Sequence, residues 1–268
     1  MTINPLNSSQ LPPFAATAQT LRVATYNIHK GVRGVGLRKR LEIHNLGLGV
    51  EALDADVVCL QEVRLFHTRD ARQFERTWFG WPEGGQADYL APEGYAAAYR
   101  TNCITRHGEH GNALLSRWPI GDIGHHDVSD HRFEQRGLLH APVQWHGLDI
   151  HVVVAHFGLI HSSRVRQVGR LAEFIEKNVP RDATLLFAGD FNDWGERLDR
   201  PMGEIGLNRA QPRGAGTPRP TFPSLVPVFA LDRIYTRGLE CLSTFVPRGA
   251  AWARMSDHLP LVAEFQPA

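Results

Sequence analysis

Six short apolar runs in this chain each adjoin a side chain that can bind a metal, carry a proton or hold a phosphate. Ala24-Thr25-Tyr26 leads to Asn27, and Val57-Val58-Cys59-Leu60 leads to Gln61-Glu62. Val152 to Ala155 ends at His156, and Leu185 to Ala188 ends at Gly189-Asp190-Phe191-Asn192. Ala230-Leu231 runs into Asp232, and Ser256-Asp257-His258 stands just before the last apolar run. The set suits hydrolysis of a phosphate ester. That reaction needs charge neutralised on the non-bridging oxygens, an activated water and help for the departing alkoxide. Glu62 can hold Mg²⁺, a hard cation that keeps several waters and takes few protein ligands. Asp190 and Asn192, two apart on a turning segment, can converge on one water. Asp232 can hold the His258 imidazole in one tautomer and favour its cation.

Taken singly, these residues have ordinary structural readings. An Asp or Asn after a strand is usually a turn residue or a helix cap, and Glu62 has Arg64 close by as an ion-pair partner. Six strand ends of this kind in one chain are poorly explained by accident, so the set favours a site. Rigid strands must then present it. Strand-like runs fall at 21–26, 57–60, 96–99, 112–116, 137–145, 148–155, 185–188, 228–235, 239–246 and 259–265. A helical pattern places Leu37, Leu41 and Leu48 on one face, weakened by Gly47 and Gly49 at about 1 kcal/mol each. A second helix is expected after Ser162 or Ser163 as cap, with Val165, Val168, Leu171, Ala172 and Ile175 inward. Stretches 80–94 and 201–220 read as surface loops. Strands outnumber helices and lie in adjacent runs, which predicts two packed sheets with helices outside them.

At 268 residues, 43% hydrophobic and 21% charged, the chain can bury a large core without staples. Its three cysteines, Cys59, Cys103 and Cys241, form no C-x-x-C pair, which fits a reducing, cytoplasmic compartment. A net charge of +1 announces no bulk nucleic-acid binder. No apolar run is long enough to span a bilayer. Residues 1–20 lack the basic start and apolar stretch of a secretory signal and read as a flexible leader before one catalytic domain over 21–268.

Thr25-Tyr26-Asn27-Ile28, Leu60-Gln61-Glu62, Gly189-Asp190-Phe191-Asn192, Leu231-Asp232-Arg233-Ile234 and Ser256-Asp257-His258 together resemble the endonuclease/exonuclease/phosphatase superfamily. The motifs keep that group's order and spacing from 21 to 265. The resemblance implies a four-layer α/β sandwich, two packed mixed sheets flanked by helices, with the site at one end. It implies Mg²⁺, or Mn²⁺ in its place, with Asn27 and Glu62 at the metal and Asp257 nearby. Asp190 would position or activate water, assisted by Asn192. Asp232 would pair with His258 at the scissile phosphate, and His156 would lie near that phosphate, with Glu109 as its candidate acidic partner. Whether Asp190 or His258 is the base stays open. Arg136 resembles a phosphate-facing arginine of some bacterial members, and Asn112, in Gly111-Asn112-Ala113-Leu114-Leu115, is expected to face the site. Tyr26-Asn27-Ile28-His29-Lys30-Gly31 and Thr221-Phe222-Pro223 are most similar to small bacterial members.

Other classes fit worse. A dinuclear metallophosphatase needs an early Asp-x-His and a Gly-Asn-His-Asp/Glu segment, and a serine hydrolase needs a Gly-x-Ser-x-Gly elbow; the sequence has none of these. A phosphate-binding module without activity would be expected to have lost part of the set. The expectation is a metal-dependent hydrolase, a phosphodiesterase of nuclease type, with phospholipid or phosphoinositide hydrolysis as the alternative. Its partner is the substrate itself, a nucleic acid or phospholipid head group, and no obligate protein partner is evident. Lys30, Arg33, Arg38, Lys39 and Arg40 follow Asn27 with no acid among them and are expected to grip phosphate. Arg164, Arg166 and Arg170 form a second basic stretch. Trp194 and Trp252 are candidates for stacking on a base or resting on a lipid.

Overall fold

The structure, a computed structural model, describes residues 20–268 apart from 35, 76 and 78, and leaves the side chain of Leu37 undescribed. The leader expected over 1–20 thus lies, but for Thr20, outside the described residues. In chain order come β1 (Leu21–Asn27), β2 (Val32–Arg33), β3 (Arg40–Leu41), α1 (Ile43–Leu53), β4 (Val57–His67), α2 (Thr68–Phe74) and α3 (Gln86–Leu90). Then follow β5 (Ala96–Thr105), β6 (Gly108–Ser116), β7 (Gly124–Asp127), β8 (Gly137–Trp145), β9 (Leu148–His156) and α4 (His161–Asn178). The last elements are β10 (Thr184–Asp190), α5 (Asp199–Glu204), β11 (Asn208–Arg209), β12 (Asp232–Arg237), β13 (Leu239–Phe245), α6 (Trp252–Met255) and β14 (Leu261–Pro267).

Two six-stranded sheets run β13-β14-β1-β4-β6-β5 and β11-β12-β10-β9-β8-β7, and β2 with β3 forms a small ribbon. The period of two along each central strand divides its side chains between two cores. Val57 and Cys59 of β4, Val152 and Val154 of β9, and Leu186 and Ala188 of β10 meet between the sheets. Val58 and Leu60 face Ile43, Leu46, Val50 and Leu53 of α1. Val153, Leu185 and Phe187 face Val168, Leu171 and Phe174 of α4. Three cores between four layers make the α/β sandwich that was expected. Among the described residues no helix is long and apolar enough to cross a membrane.

Each sheet holds one parallel pair, β1 with β4 and β9 with β10, joined by the crossover helices α1 and α4. Parallel strands finish at the same edge, so Asn27 pairs in register with Gln61 and His156 with Asp190. The antiparallel neighbours start there instead: Asp232 heads β12 opposite Asp190, and His258 lies just before β14. Asp232 therefore opens its strand, where the sequence suggested that it closes one.

Some elements shift from their expected places. α1 begins only at Ile43, and the spacing of Ile43, Leu46, Val50 and Leu53 sets its buried stripe; Leu41 lies in β3 and Leu48 is 55% exposed. Ile160, not a serine, precedes α4, because the Ser163 hydroxyl donates to Asp130 instead. Val165 faces outward, and Phe174 takes a place on the inner face. The supposed loops at 80–94 and 201–220 contain α3, the end of α5 and β11.

Candidate active site

The rim where both sheets end is built from bent backbone. β4 carries an irregularity between Leu60 and Val63, and Glu62 sits in it with φ 56°. His29 (φ 45°), Lys30 (φ 62°) and Asn192 (φ 48°) are also left-handed. These four are among seven such non-glycine residues in the described chain, and each conformation costs about 1–3 kcal/mol that the surrounding contacts must offset.

Asp190 is the hub. Asn27 Nδ2 donates to its Oδ2 at 3.0 Å, and the backbone N–H of Asn192 donates to its Oδ1 at 3.0 Å. Asn27 Oδ1 accepts the N–H of His29, which fixes the orientation of that amide. Two imidazoles face the same carboxylate oxygen, His156 Nε2 at 3.5 Å and His258 Nε2 at 3.6 Å. Asn192 Nδ2 donates to the Phe157 carbonyl at 3.0 Å and contacts His156 Nε2 at 3.1 Å. An amide nitrogen only donates, so His156 Nε2 accepts and its proton sits on Nδ1, 4.0 Å from Glu62 Oε1. Burial, with Arg136 adding to it, pushes His156 down to about 4, against the pull of Asp190 and Glu62.

His258 has the opposite environment. Its Nδ1 lies 2.8 Å from Asp232 Oδ2, which also accepts the Thr221 hydroxyl at 2.6 Å. Burial opposes charge, but Asp232 and then Asp190 outweigh it and raise His258 to about 10. The Phe222 ring covers the imidazole at 4.8 Å, and Trp194 and Phe229 extend that wall. Ser256 Oγ donates to the Asn27 carbonyl at 2.7 Å and so ties the His258 loop to β1.

Glu62 lies across the site. Burial raises its carboxyl, but Lys30, at 2.5 Å from Oε2, and His156 overturn that and hold it well below the usual carboxylate range. The expected partner Arg64 bonds to Asp70 instead. An ionised, hard oxygen donor suits a divalent cation; Asp257 lies near enough to feel the Glu62 charge, and Asn27 pairs in register with the adjacent Gln61. Asp257 reaches His29 at 3.2 Å; burial raises its carboxyl, and His29 with His258 brings it below its ordinary value. Asp190, Asp232 and His258 also offer donors within 4.8 Å of one another. There, however, Asp232 Oδ2 is already shared by His258 and Thr221, so an ion would have to break that pair.

Residues 24–258 match the sequence pattern of the Endonuclease/Exonuclease/phosphatase family. The chain belongs to this family. Its members are generally metal-dependent phosphoester hydrolases. At 35% identity over 249 residues, it is similar to YbhP of Escherichia coli strain K12, itself uncharacterized, covering 91% of this chain and 96% of that protein. The endonuclease/exonuclease/phosphatase from Beutenbergia cavernae shares the fold with a TM-score of 0.73 at 21% identity, over 93% of this chain and 72% of that one. The human Nocturnin catalytic domain, solved with bound sulfate, has a TM-score of 0.70 at 19% identity over the whole of both chains.

Within the endonuclease/exonuclease/phosphatase fold, several expected neighbours lie elsewhere. Glu109 accepts the Thr101 hydroxyl at 3.0 Å and is not the partner of His156. Asn112 is wholly buried and donates to the carbonyls of Gly137 (2.9 Å) and Val154 (3.1 Å), clamping one sheet to the other rather than opening to the site surface. Arg136 stands beside His156, holding Phe157 O at 3.3 Å and Glu134 at 3.2 Å. Trp252 is buried against Gly49 of α1, whereas Trp194 is 43% exposed. Much of the basic stretch is engaged: Lys30 on Glu62, Arg33 on the Ala253 carbonyl, Lys39 on Asp70. Arg164 and Arg166 pair with Asp193 and Asp130, and Arg170 donates to the Ser129 carbonyl. Lys30, expected to grip phosphate, holds Glu62 instead, and Thr221, Phe222 and Ser256 had no assigned role although the Thr221-Phe222-Pro223 and Ser256-Asp257-His258 motifs carried a signal.

Proposed function

We propose that this protein is a divalent-metal-dependent phosphodiesterase of nuclease type, using Mg²⁺ with Mn²⁺ able to replace it. The observation that carries the reading is one carboxylate oxygen, Asp190 Oδ2, set between a neutral and a cationic imidazole. Cationic His258 has no lone pair to accept a proton at neutral pH, and the His156 Nε2 lone pair is taken by the Asn192 amide, so the base role falls to Asp190. Asp190 takes a proton from a water whose oxygen forms the new bond to phosphorus. The ester P–O bond opposite it breaks, and the departing alkoxide takes its proton from solvent. Cationic His258, steadied by Asp232, neutralises the non-bridging oxygens, with Arg136 as a further phosphate contact. Asn192 and neutral His156 position water and phosphate. Glu62 and Asn27, with Asp257 nearby, would hold the metal, which when bound would supply charge neutralisation on the phosphate and at the leaving oxygen.

A phospholipid head group is the second reading. It is favoured by exposed Leu225, Val226 and Val228 on the loop that carries Phe222. Purified protein with Mg²⁺ should cleave DNA or RNA in a panel that also holds phospholipids and phosphoinositides. Turnover of lipids alone would overturn the nuclease reading. Glu62→Gln should weaken Mg²⁺ binding at least tenfold by calorimetry, and wild-type binding in that variant would remove Glu62 from the metal.

A further inference from the structure

A groove of about 650 Å³ opens beside the site, past Glu62 along β4. Lys39, Arg64, His67, Arg69, Asp70 and His107 line it. Three cations face one carboxylate, and that carboxylate is spent. Asp70 is buried, with Lys39 Nζ at 2.6 and 2.8 Å from its two oxygens and the Arg64 guanidinium on one of them. Asp70 therefore fixes Lys39 and Arg64 in place without cancelling both charges. Arg69 is exposed and has no ion-pair or hydrogen-bond partner among the described residues. His67 Nδ1 accepts the Asp70 N–H at 3.2 Å, which leaves a neutral His67 ring its Nε2–H as a donor. Burial and the nearby Arg64 push His67 below its ordinary value, so it stays neutral near pH 7. His107 stands edge-on to it at 6.0 Å.

Position links this groove to the site. Arg64 and His67 are two and five residues beyond Glu62 on one strand, and five residues span at most about 18 Å. Arg64 is close enough to Glu62 to feel its charge.

We propose that this groove seats a second phosphate of the same substrate, the neighbouring phosphodiester of a nucleic-acid strand whose scissile phosphate lies at Asp190. The inference rests on the phosphodiesterase reading above. A modest surplus of positive charge with the neutral His67 imidazole as a donor suits singly charged diesters in a chain. Clustered monoester dianions would call for more cations. Repeating phosphates within reach of both sites are what a strand provides and a single-phosphate lipid does not.

Removing Arg64 or Lys39 strips a buried carboxylate and endangers the fold, so Arg69→Gln and the charge reversal Arg69→Glu are the variants of choice. Anisotropy of a fluorescent single-stranded octanucleotide in EDTA reads binding without cleavage. The full chain carrying Arg69→Gln should bind about tenfold more weakly, with the log–log salt slope shallower by about 0.7. Arg69→Glu should lose more. With Mg²⁺, the ratio of kcat/KM on the oligonucleotide to kcat/KM on bis(p-nitrophenyl) phosphate should fall by a similar factor. Unchanged oligonucleotide affinity and slope in both variants would overturn the groove, even if cleavage were intact. So would binding that depends on Arg69 only with phosphoinositide vesicles. Arg69-dependent oligonucleotide binding without any Mg²⁺-dependent hydrolysis would instead uphold the groove and sink the phosphodiesterase reading.

Discussion

His156 and His258 reach the same oxygen of Asp190 from opposite sheets, at 3.5 and 3.6 Å, and both are nearly buried. One is pushed down to about 4 and the other up to about 10. Burial acts on both in the same direction, disfavouring the cation, and Asp190 attracts both. What separates them is the second neighbour. His258 has the Asp232 carboxylate on Nδ1, while His156 has an amide on Nε2 and the Arg136 guanidinium nearby. Desolvation sets the default, and a directly bonded charge reverses it. Pairs of groups driven apart in this way mark acid and base assignments.

The shared carboxylate is the place to break the comparison outright. Asp190→Asn should lower kcat by about 10³–10⁴-fold on a small phosphodiester, since it removes the base and the common anion together. Steady-state assays check this, and a loss under tenfold would move the base elsewhere.

Removing only what distinguishes His258 is the next step. Asp232→Asn should drop the His258 value well below 10 and shift the alkaline limb of the kcat/KM profile down with it. A kcat loss of about 10²-fold is expected. Asp232→Asn, His258→Ala and their double variant should be strongly non-additive; losses that simply multiply would deny the coupling. The sign for stability follows. A raised folded value means the cation stabilises the fold fully below its usual 6.5 and loses that contribution as pH rises toward about 10. Thermal melts from pH 6 to 10 should therefore fall less steeply in Asp232→Asn than in wild type.

Much of this was legible in the sequence because the strands are. Unbroken apolar runs mark the strands and the polar motifs beside them mark the ends that meet the site, although Asp232 opens its strand where it was expected to close one. The partners were not legible, since the contacts join residues far apart in the chain: Asn27 meets Asp190 across 163 positions, and Lys30 meets Glu62 across 32. Arg64 looked like the ion-pair partner of Glu62 by proximity, yet the irregular backbone at Glu62 turns that carboxylate toward Lys30. Asn112 and Trp252 had polar or aromatic identities that suggested a site, but strand register places Asn112 in the interior and the short helix α6 packs Trp252 against α1. The helical stripe of α1 was misread because Leu48 shares the composition of the buried face but not its spacing.

The smallest effect tests the other half of the pair. Arg136 is the second cause of the depressed His156 value, after burial, and its guanidinium also holds the Phe157 carbonyl and Glu134. Arg136→Gln leaves burial in place and removes one nearby positive charge. His156 should then titrate above its present value of about 4 while remaining below the usual 6.5. NMR titration of the ring protons reads this directly, and His258 should stay near 10, since Arg136 is not among the main causes of its shift. If Arg136 also touches the substrate phosphate, KM should rise about tenfold with kcat changed by less than about threefold, the signature of lost uniform binding. A His156 value that does not move would assign its neutrality to burial and the Asn192 amide alone. An unmoved KM would then leave Arg136 as a brace for the Phe157 loop rather than a contact to phosphate.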